Sequence, residues 1–273
     1  MALFRYFSPE GALRALETSE LMVTPPKYLN DPFECSPVIK CKDPRGFVRR
    51  QINEITRSPD FFKKHKSRLP VRTFEEFRSG LLTRAAELEE RILADVPGAD
   101  SHIQSQAQEI ISEAFGVICF TADAVNQTMW AHYGSSHEGL VIEFRQNHPL
   151  FSEPSFFEIH YSDEPVVFDA SHPTARDDAK LFLSRKRLHW SSERESRLLV
   201  ELAVATAHDL QEGRRYFIPI GSEMIVSVTL GLRTTYQTQN RVIELLRAPH
   251  FEHARAIKMR KNVEAGTLER EPL

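Results

Sequence analysis

Apolar positions recur along this chain in two rhythms. Leu3–Phe7 is a short aromatic run consistent with an opening strand. Ser8-Pro9-Glu10 then reads as a helix start: Ser as N-cap, Pro at the first helical position, an acid in the first turn. That helix would turn Leu13 and Leu16 inward. Tyr28-Leu29-Asn30-Asp31-Pro32 reads as a turn, since Asn and Asp bond their own backbone and Pro halts regular structure. From about Gly46 to Ala114 the rhythm becomes helical. Leu81, Leu82, Ala85, Leu88 and Ile92 recur at helical spacing, charges are dense and glycine is rare. Two or three helices are expected there, with breaks near Ser58-Pro59, Leu69-Pro70 and Val96-Pro97-Gly98.

The period then changes. Gly116–Thr121 reads as a buried strand and Asn126–Tyr133 as a short helix. Gly139–Phe144, Phe156–Tyr161 and Glu193–Leu202 read as strands, with a helix over Pro173–Leu188. Met224–Leu230 is β-rich, Thr235–Leu246 helical and Ala254–Met259 a final strand. Strands gathered after a helical block predict an α+β fold rather than a βαβ alternation. No repeat, low-complexity tract or linker interrupts the chain, so one domain over 1–273 is expected, with a helical insertion at about 46–114.

Composition narrows the function classes. The 273 residues suffice for a sizeable core, and 41% hydrophobic with 27% charged residues is ordinary for a globular protein. A formal charge of −3 gives no global basic field for nucleic acid. The local run Lys63, Lys64, Lys66, Arg68 and Arg72 reads first as a solvated face. Cys35, Cys41 and Cys119 cannot all pair and form no Cys-x-x-Cys unit, which points to a reducing compartment. The opening Met1-Ala-Leu-Phe-Arg-Tyr lacks the long apolar stretch expected of a secretion signal, and no apolar run approaches the ~20 residues of a membrane span. A cytoplasmic protein with no membrane partner is expected.

Familiar nucleotide and hydrolase motifs are missing: no Walker loop, no Gly-x-Gly-x-x-Gly turn, no Gly-x-Ser-x-Gly elbow, no His-Glu-x-x-His helix. His132 and His137 lack a third ligand, so no metal is expected. Two stretches stand out. Met129-Trp130-Ala131-His132-Tyr133 puts three side chains with polar handles within four positions, suiting either a core-filling helix or a pocket wall that stacks on a flat ligand. In Trp190-Ser-Ser-Glu193-Arg194-Glu195-Ser196-Arg197, a strand starting at Glu193 would set Glu193, Glu195 and Arg197 on one face. Two neighbouring carboxylates repel, which a purely structural strand would avoid unless a cation such as Arg197 offsets them.

Together, Phe4-Arg5-Tyr6, Leu29–Glu34, Cys119-Phe120-Thr121, Met129–Tyr133, His137-Glu138-Gly139 and Trp190…Glu193-x-Glu195-x-Arg197 resemble a largely bacterial family, the domain of unknown function numbered twenty-nine seventy-one. The likeness runs from about residue 3 to 202, interrupted by the helical block. That family is in turn similar to the ADP-ribosyltransferase superfamily, in which a first-strand Arg or His, a strand ending in Ser or Thr, and a strand bearing Glu form the site. Arg5, Thr121 and Glu195 stand in that order, and Glu193-x-Glu195 is similar to the Glu-x-Glu loop of its arginine-modifying branch. Thr121 stands without the usual Ser-Thr-Ser run, and Trp190 and Arg197 lie outside that signature.

The resemblance implies a split, mostly antiparallel sheet and an enzyme that consumes NAD as substrate. The acceptor would be a macromolecule, protein or nucleic acid. The setting would be a bacterial toxin or antiphage effector, with an antitoxin as a further partner. Glu195 would offset charge on the ribose and Glu193 would orient or deprotonate the acceptor. Arg5, Tyr6, Asn30, Thr121, Trp130, His132, Tyr133 and Arg197 would hold NAD. Two other readings stay open: a ligand-binding module of the same fold without catalysis, and an unrelated hydrolase or nuclease using Glu193, Glu195 and His132.

Overall fold

Ser8 starts the first helix through its side chain, whose Oγ accepts a hydrogen bond from the Gly11 amide at 3.1 Å. Pro9 follows in the first turn, where a missing N–H costs nothing. Leu16 on this helix is fully buried and Leu13 is partly covered by the same core. The computed structural model describes residues 2–35, 38–40, 42–169, 176–210 and 213–273.

The elements begin with β1 (Leu3–Phe7), α1 (Pro9–Thr18), β2 (Glu20–Val23) and β3 (Val38–Lys40). Five helices follow: α2 (Pro44–Thr56), α3 (Pro59–His65), α4 (Phe74–Thr83), α5 (Ala85–Ala94) and α6 (Val96–Ala114). Then come β4 (Phe115–Thr121), α7 (Gln127–His132), β5 (Leu140–Phe144), β6 (Phe156–Glu158), β7 (His160–Tyr161), β8 (Val167–Asp169) and α8 (Arg176–Leu183). The chain continues with β9 (Arg185–Lys186), β10 (Glu195–Glu201), β11 (Thr206–Leu210), β12 (Gly213–Pro219) and β13 (Ile225–Leu230). It ends in α9 (Tyr236–Leu246), β14 (Arg255–Asn262) and β15 (Thr267–Pro272). The fold is mixed α+β, as the pattern of the sequence predicts.

The residues group into two compact units. The first comprises Met1–Cys35, Ile111–Asp163 and Leu183–Leu273. It holds an eight-stranded sheet in the order β15-β14-β13-β5-β1-β4-β10-β6, antiparallel except between β13 and β14, and a three-stranded sheet β11-β12-β2. The second, Ser36–Ile110 and Glu164–Phe182, holds α2 to α5 and the parallel pair β3–β8. In it, α2 packs on α4 and α5, Arg45 and Arg49 bind Glu89 at 3.0 Å, and the rings of Phe62, Phe74 and Phe77 cluster.

The period-two alternation of β4 divides the core of the first unit. Ile118 and Phe120 join the main cluster with Leu3, Phe7, Ile142 and Leu198, which α1 and α9 cover through Leu16 and Val242. Val117 and Cys119 face the opposite way, towards Leu183, Leu199 and Phe157. Alongside, Phe4, Tyr6, Met129, Trp130 and Val141 make a third cluster.

Several expectations shift. The helical block forms five helices rather than two or three, because α4 and α5 part at Arg84, with no Pro or Gly to mark the break. The helix expected over Pro173–Leu188 ends at Leu183 and is described from Arg176, residues 173–175 lying outside the described residues. After it, Arg185–Lys186 pairs in parallel with His160–Tyr161, so the strand expected over Phe156–Tyr161 is two short ones. The strand expected from Glu193 begins at Glu195, behind a turn of 3₁₀ helix over Leu188–Glu193. The last strand is β15, beyond the expected Ala254–Met259, and β2, β11 and β12 add a second sheet. Among the described residues no helix is long and apolar enough to cross a membrane.

Candidate functional site

Three neighbouring strands define the site. Thr121 ends β4, and on the sheet register it stands opposite Phe4 of β1 on one side and Glu195 of β10 on the other. Alternation then carries Thr121 and Cys119 onto one face with Glu195 and Arg197, whose register partners they are. Against this face lies a hollow of about 230 Å³, lined by Arg5, Cys119, Thr121, Glu193 and Glu195 among others. The turn after β2 closes it with Tyr28, Leu29, Asn30 and Glu34, and the end of α7 with Tyr133.

Glu193 arrives by a different route from that expected. Arg194 adopts a left-handed conformation at φ 48°, which costs a non-glycine residue roughly 1–2 kcal/mol. Several bonds hold this turn: Thr121 Oγ1 donates to the Glu193 carbonyl at 2.6 Å, Ala122 N donates to the Arg194 carbonyl, and Asn126 Nδ2 donates to the Ser192 carbonyl at 2.7 Å. Asn126 also caps α7 through Oδ1, so one side chain fixes both the helix and the loop. Thr121 Oγ1 accepts from Asp123 N as well, so its hydroxyl is committed to the scaffold.

At the floor lies a buried ionic network. Lys186 Nζ contacts Glu193 Oε2 at 2.5 Å, Glu195 Oε2 at 2.8 Å and Glu34 Oε2 at 3.8 Å. Arg197 binds Glu195 Oε1 through Nε at 2.6 Å, pairs with Glu34, and donates to the Leu183 carbonyl at 2.7 Å. Tyr133 Oη donates to Glu193 Oε1 at 2.8 Å while accepting from Asn30 Nδ2 at 2.9 Å. Three carboxylates against two cations leave one excess negative charge in this network. Burial raises the Glu195 carboxyl above its ordinary value, with Lys186 opposing it. Burial alone would lower the Lys186 ammonium, but Glu195 and Glu193 outweigh it and push the group up, so Lys186 is a firm cation. The Cys119 thiol is raised well above its usual range by burial and by Glu195.

Trp190 braces the rim. Its indole Nε1 donates to Asp31 Oδ2 at 2.9 Å, and Lys186 Nζ lies 5.1 Å from its ring centroid. Comparison of the chain with protein-family models, curated proteins and solved structures finds no match.

Eight of the expected site residues line the hollow: Arg5, Tyr6, Asn30, Thr121, Tyr133, Glu193, Glu195 and Arg197. Trp130 and His132 do not. Trp130 is fully buried in the third cluster, its Nε1 donating to the Ala124 carbonyl at 2.9 Å and its ring edge-on to Tyr6. It fills the core. His132 is exposed, its ring beside Tyr133 and Trp190. His137 stacks on Trp130 instead of approaching His132's surroundings through a shared ligand set, and among the described residues no cluster able to hold a metal ion is found.

Reading the sequence missed Lys186 and Glu34 as members of the site. Lys186 fell inside the expected helix, where a lysine looks like a solvated side chain. Glu34 belonged to a turn whose composition carried no further meaning. The one available signal was the basic run Arg185-Lys186-Arg187 placed just before Trp190 and its two acids.

Proposed function

We propose that this hollow takes the nicotinamide–ribose end of NAD and that the protein is an ADP-ribosyltransferase with an ADP-ribosyltransferase-like split sheet. The observation that carries the reading is the meeting of Arg5, Thr121 and Glu195, from β1, β4 and β10, in one hollow with Glu193. A hollow of about 230 Å³ is smaller than the roughly 300–1,000 Å³ of pockets that enclose a drug-sized ligand, so the rest of the dinucleotide would lie outside it.

The electrostatics support the same chemistry. Nicotinamide in NAD is cationic, and Glu193 and Glu195 line the hollow as carboxylates that could meet it, alongside the cations Lys186, Arg197 and Arg5. When the bond from ribose C1′ to the nicotinamide nitrogen breaks, the electron pair leaves with nicotinamide and positive charge grows on the ribose. Glu195, held by Lys186 and Arg197, is preorganised to offset that charge. The acceptor's nucleophile then bonds to C1′ and its proton passes to Glu193 Oε1 in place of the Tyr133 hydroxyl hydrogen bond, while Oε2 stays on Lys186. Arg5 Nη1 is buried with no hydrogen-bond partner among the described residues and would meet an anionic or ribose oxygen of the substrate.

The test is nicotinamide release from NAD by the purified protein. Glu195→Gln is expected to lower the rate by about 10²–10³, the effect of removing one preorganised charge-stabilising group. Unaltered release in a folded Glu195→Gln variant would remove Glu195 from the chemistry. A second reading has its own support, because both oxygens of Glu195 are already engaged by cations. On that reading the module binds NAD without cleaving it, and calorimetric binding with no nicotinamide release would establish it.

A further inference from the structure

Two aromatic rings near the mouth of the hollow are left in solvent. Tyr28 is 59% exposed and Phe33 is 67% exposed, only five positions apart. Single exposed apolar side chains need no explanation. These two share a feature that does. Lys27 Nζ lies 5.2 Å and the Arg215 guanidinium 5.8 Å from the Tyr28 centroid, while the Arg187 guanidinium lies 5.8 Å from that of Phe33. Each ring thus has a positive charge over it, which a stacking base would share or displace.

Both rings sit on pinned backbone. Tyr28 ends a 3₁₀ turn closed by its own amide on the Pro25 carbonyl and by Leu29 N on the Pro26 carbonyl. Phe33 N donates to Asp31 Oδ1, and Asp31 is buried and anchored by Trp190. Arg187 is tied to the Asp163 carbonyl at 2.8 Å. The surface also adjoins the hollow. Tyr28 lines it directly, Phe33 precedes the lining residue Glu34, and Arg187 follows Lys186.

We propose that this rim is a single-stranded nucleic acid platform, on which bases stack against Tyr28 and Phe33 while Lys27, Arg187 and Arg215 meet phosphates. Aromatic faces interleaved with basic groups are the recognition chemistry of single strands: every base offers a π face and every linkage a charge. A protein acceptor would instead meet a contiguous apolar centre with a polar rim, whereas here each exposed ring has a basic group near it. With a net charge of −3, the protein supplies no long-range attraction, so affinity comes from these local contacts. As an acceptor assignment this rests on the NAD-cleaving reading above; as a binding surface it does not.

The experiment measures fluorescence anisotropy of labelled twelve-residue oligo-dT and oligo-U with the full chain, in the absence of NAD. Binding is expected to weaken with salt at a slope of about −2 in log–log form, since three phosphate contacts contribute about −0.7 each. Tyr28→Ala and Phe33→Ala should each weaken binding about tenfold to a hundredfold without changing the thermal unfolding curve. Absence of oligonucleotide binding, or variants that bind as well as the parent, overturns the proposal. Labelled NAD is then added to protein, oligonucleotide and cell lysate. Label entering the oligonucleotide supports the acceptor assignment; label entering lysate protein alone overturns it and leaves NAD cleavage standing. Oligonucleotide binding without any nicotinamide release keeps the platform and refutes the transferase reading.

Discussion

Replacing Lys186 with methionine removes the cation that holds the buried network together. The Lys186 side chain is 3% exposed, and its ammonium sits between Glu193 and Glu195 at 2.5 and 2.8 Å. Methionine keeps most of the volume, so the change is chiefly electrostatic. It takes the network from one excess negative charge to two, with Arg197 alone facing three carboxylates. Breaking a buried pair by deleting one partner costs about 3–5 kcal/mol, because a charge is left buried without compensation. Urea unfolding at pH 7.5 followed by circular dichroism should read that loss. The pH dependence is a sharper test. The folded-state pKa of Lys186 lies above its ordinary value, so its stabilisation is complete below about 10.5 and is lost only as pH rises beyond it. Its titration therefore contributes nothing to any change between pH 8 and 5. Glu195 is already raised by burial against the opposing pull of Lys186, and without Lys186 it rises further. A carboxyl raised in the folded state binds its proton more readily there, so the variant regains stability as pH falls. The gap between parent and variant should narrow from pH 8 to pH 5. A loss under about 1 kcal/mol, or a gap that stays flat over that range, would refute the account of the network.

Two further predictions separate scaffold from site. Trp130→Phe removes the indole N–H from the buried Ala124 carbonyl and should cost about 1–3 kcal/mol, while calorimetric NAD affinity stays at the parent's value; a selective loss of NAD binding would put Trp130 back among the ligand contacts. Cys35 and Cys119 are both raised, each by burial first, so at pH 8 their thiols stay protonated and iodoacetamide should label them only after unfolding, as read by peptide mass spectrometry. Rapid labelling of Cys119 in the folded protein would mean the hollow is wetter and its thiol more acidic than described.

Local signals carried much of the fold. The Ser8-Pro9 start is found as expected, and the helices expected from Asn126 and Thr235 begin one residue later, with those two residues as their N-caps. Strands β1, β4, β5 and β13 were legible because their buried runs are short and bounded. What failed were elements whose form depends on distant partners. Lys186 enters β9 only because His160–Tyr161 is available to pair with it, and β2 is a strand because β12 pairs with it. Nothing near Arg84 announces that one helix becomes two.

For the site, the expectation that Glu193, Glu195 and Arg197 share one strand face holds for Glu195 and Arg197 but not for Glu193, which a left-handed Arg194 turns towards Glu195 from outside the strand. The repulsion between the two acids, visible in the sequence as an anomaly, is resolved by Lys186, which the sequence marks only as part of the basic run before Trp190. The same reasoning bears on what the network is for. Apolar side chains of similar volume often stabilise an interior as well as a buried ion pair does, or better, because they carry no desolvation cost. Glu34, Glu193, Glu195, Lys186 and Arg197 are all nearly sealed from solvent. A fold that needed only stability has cheaper ways to fill that space. On the NAD reading proposed above, carboxylates held this firmly against the wall of a hollow would be kept for the cationic group that they meet.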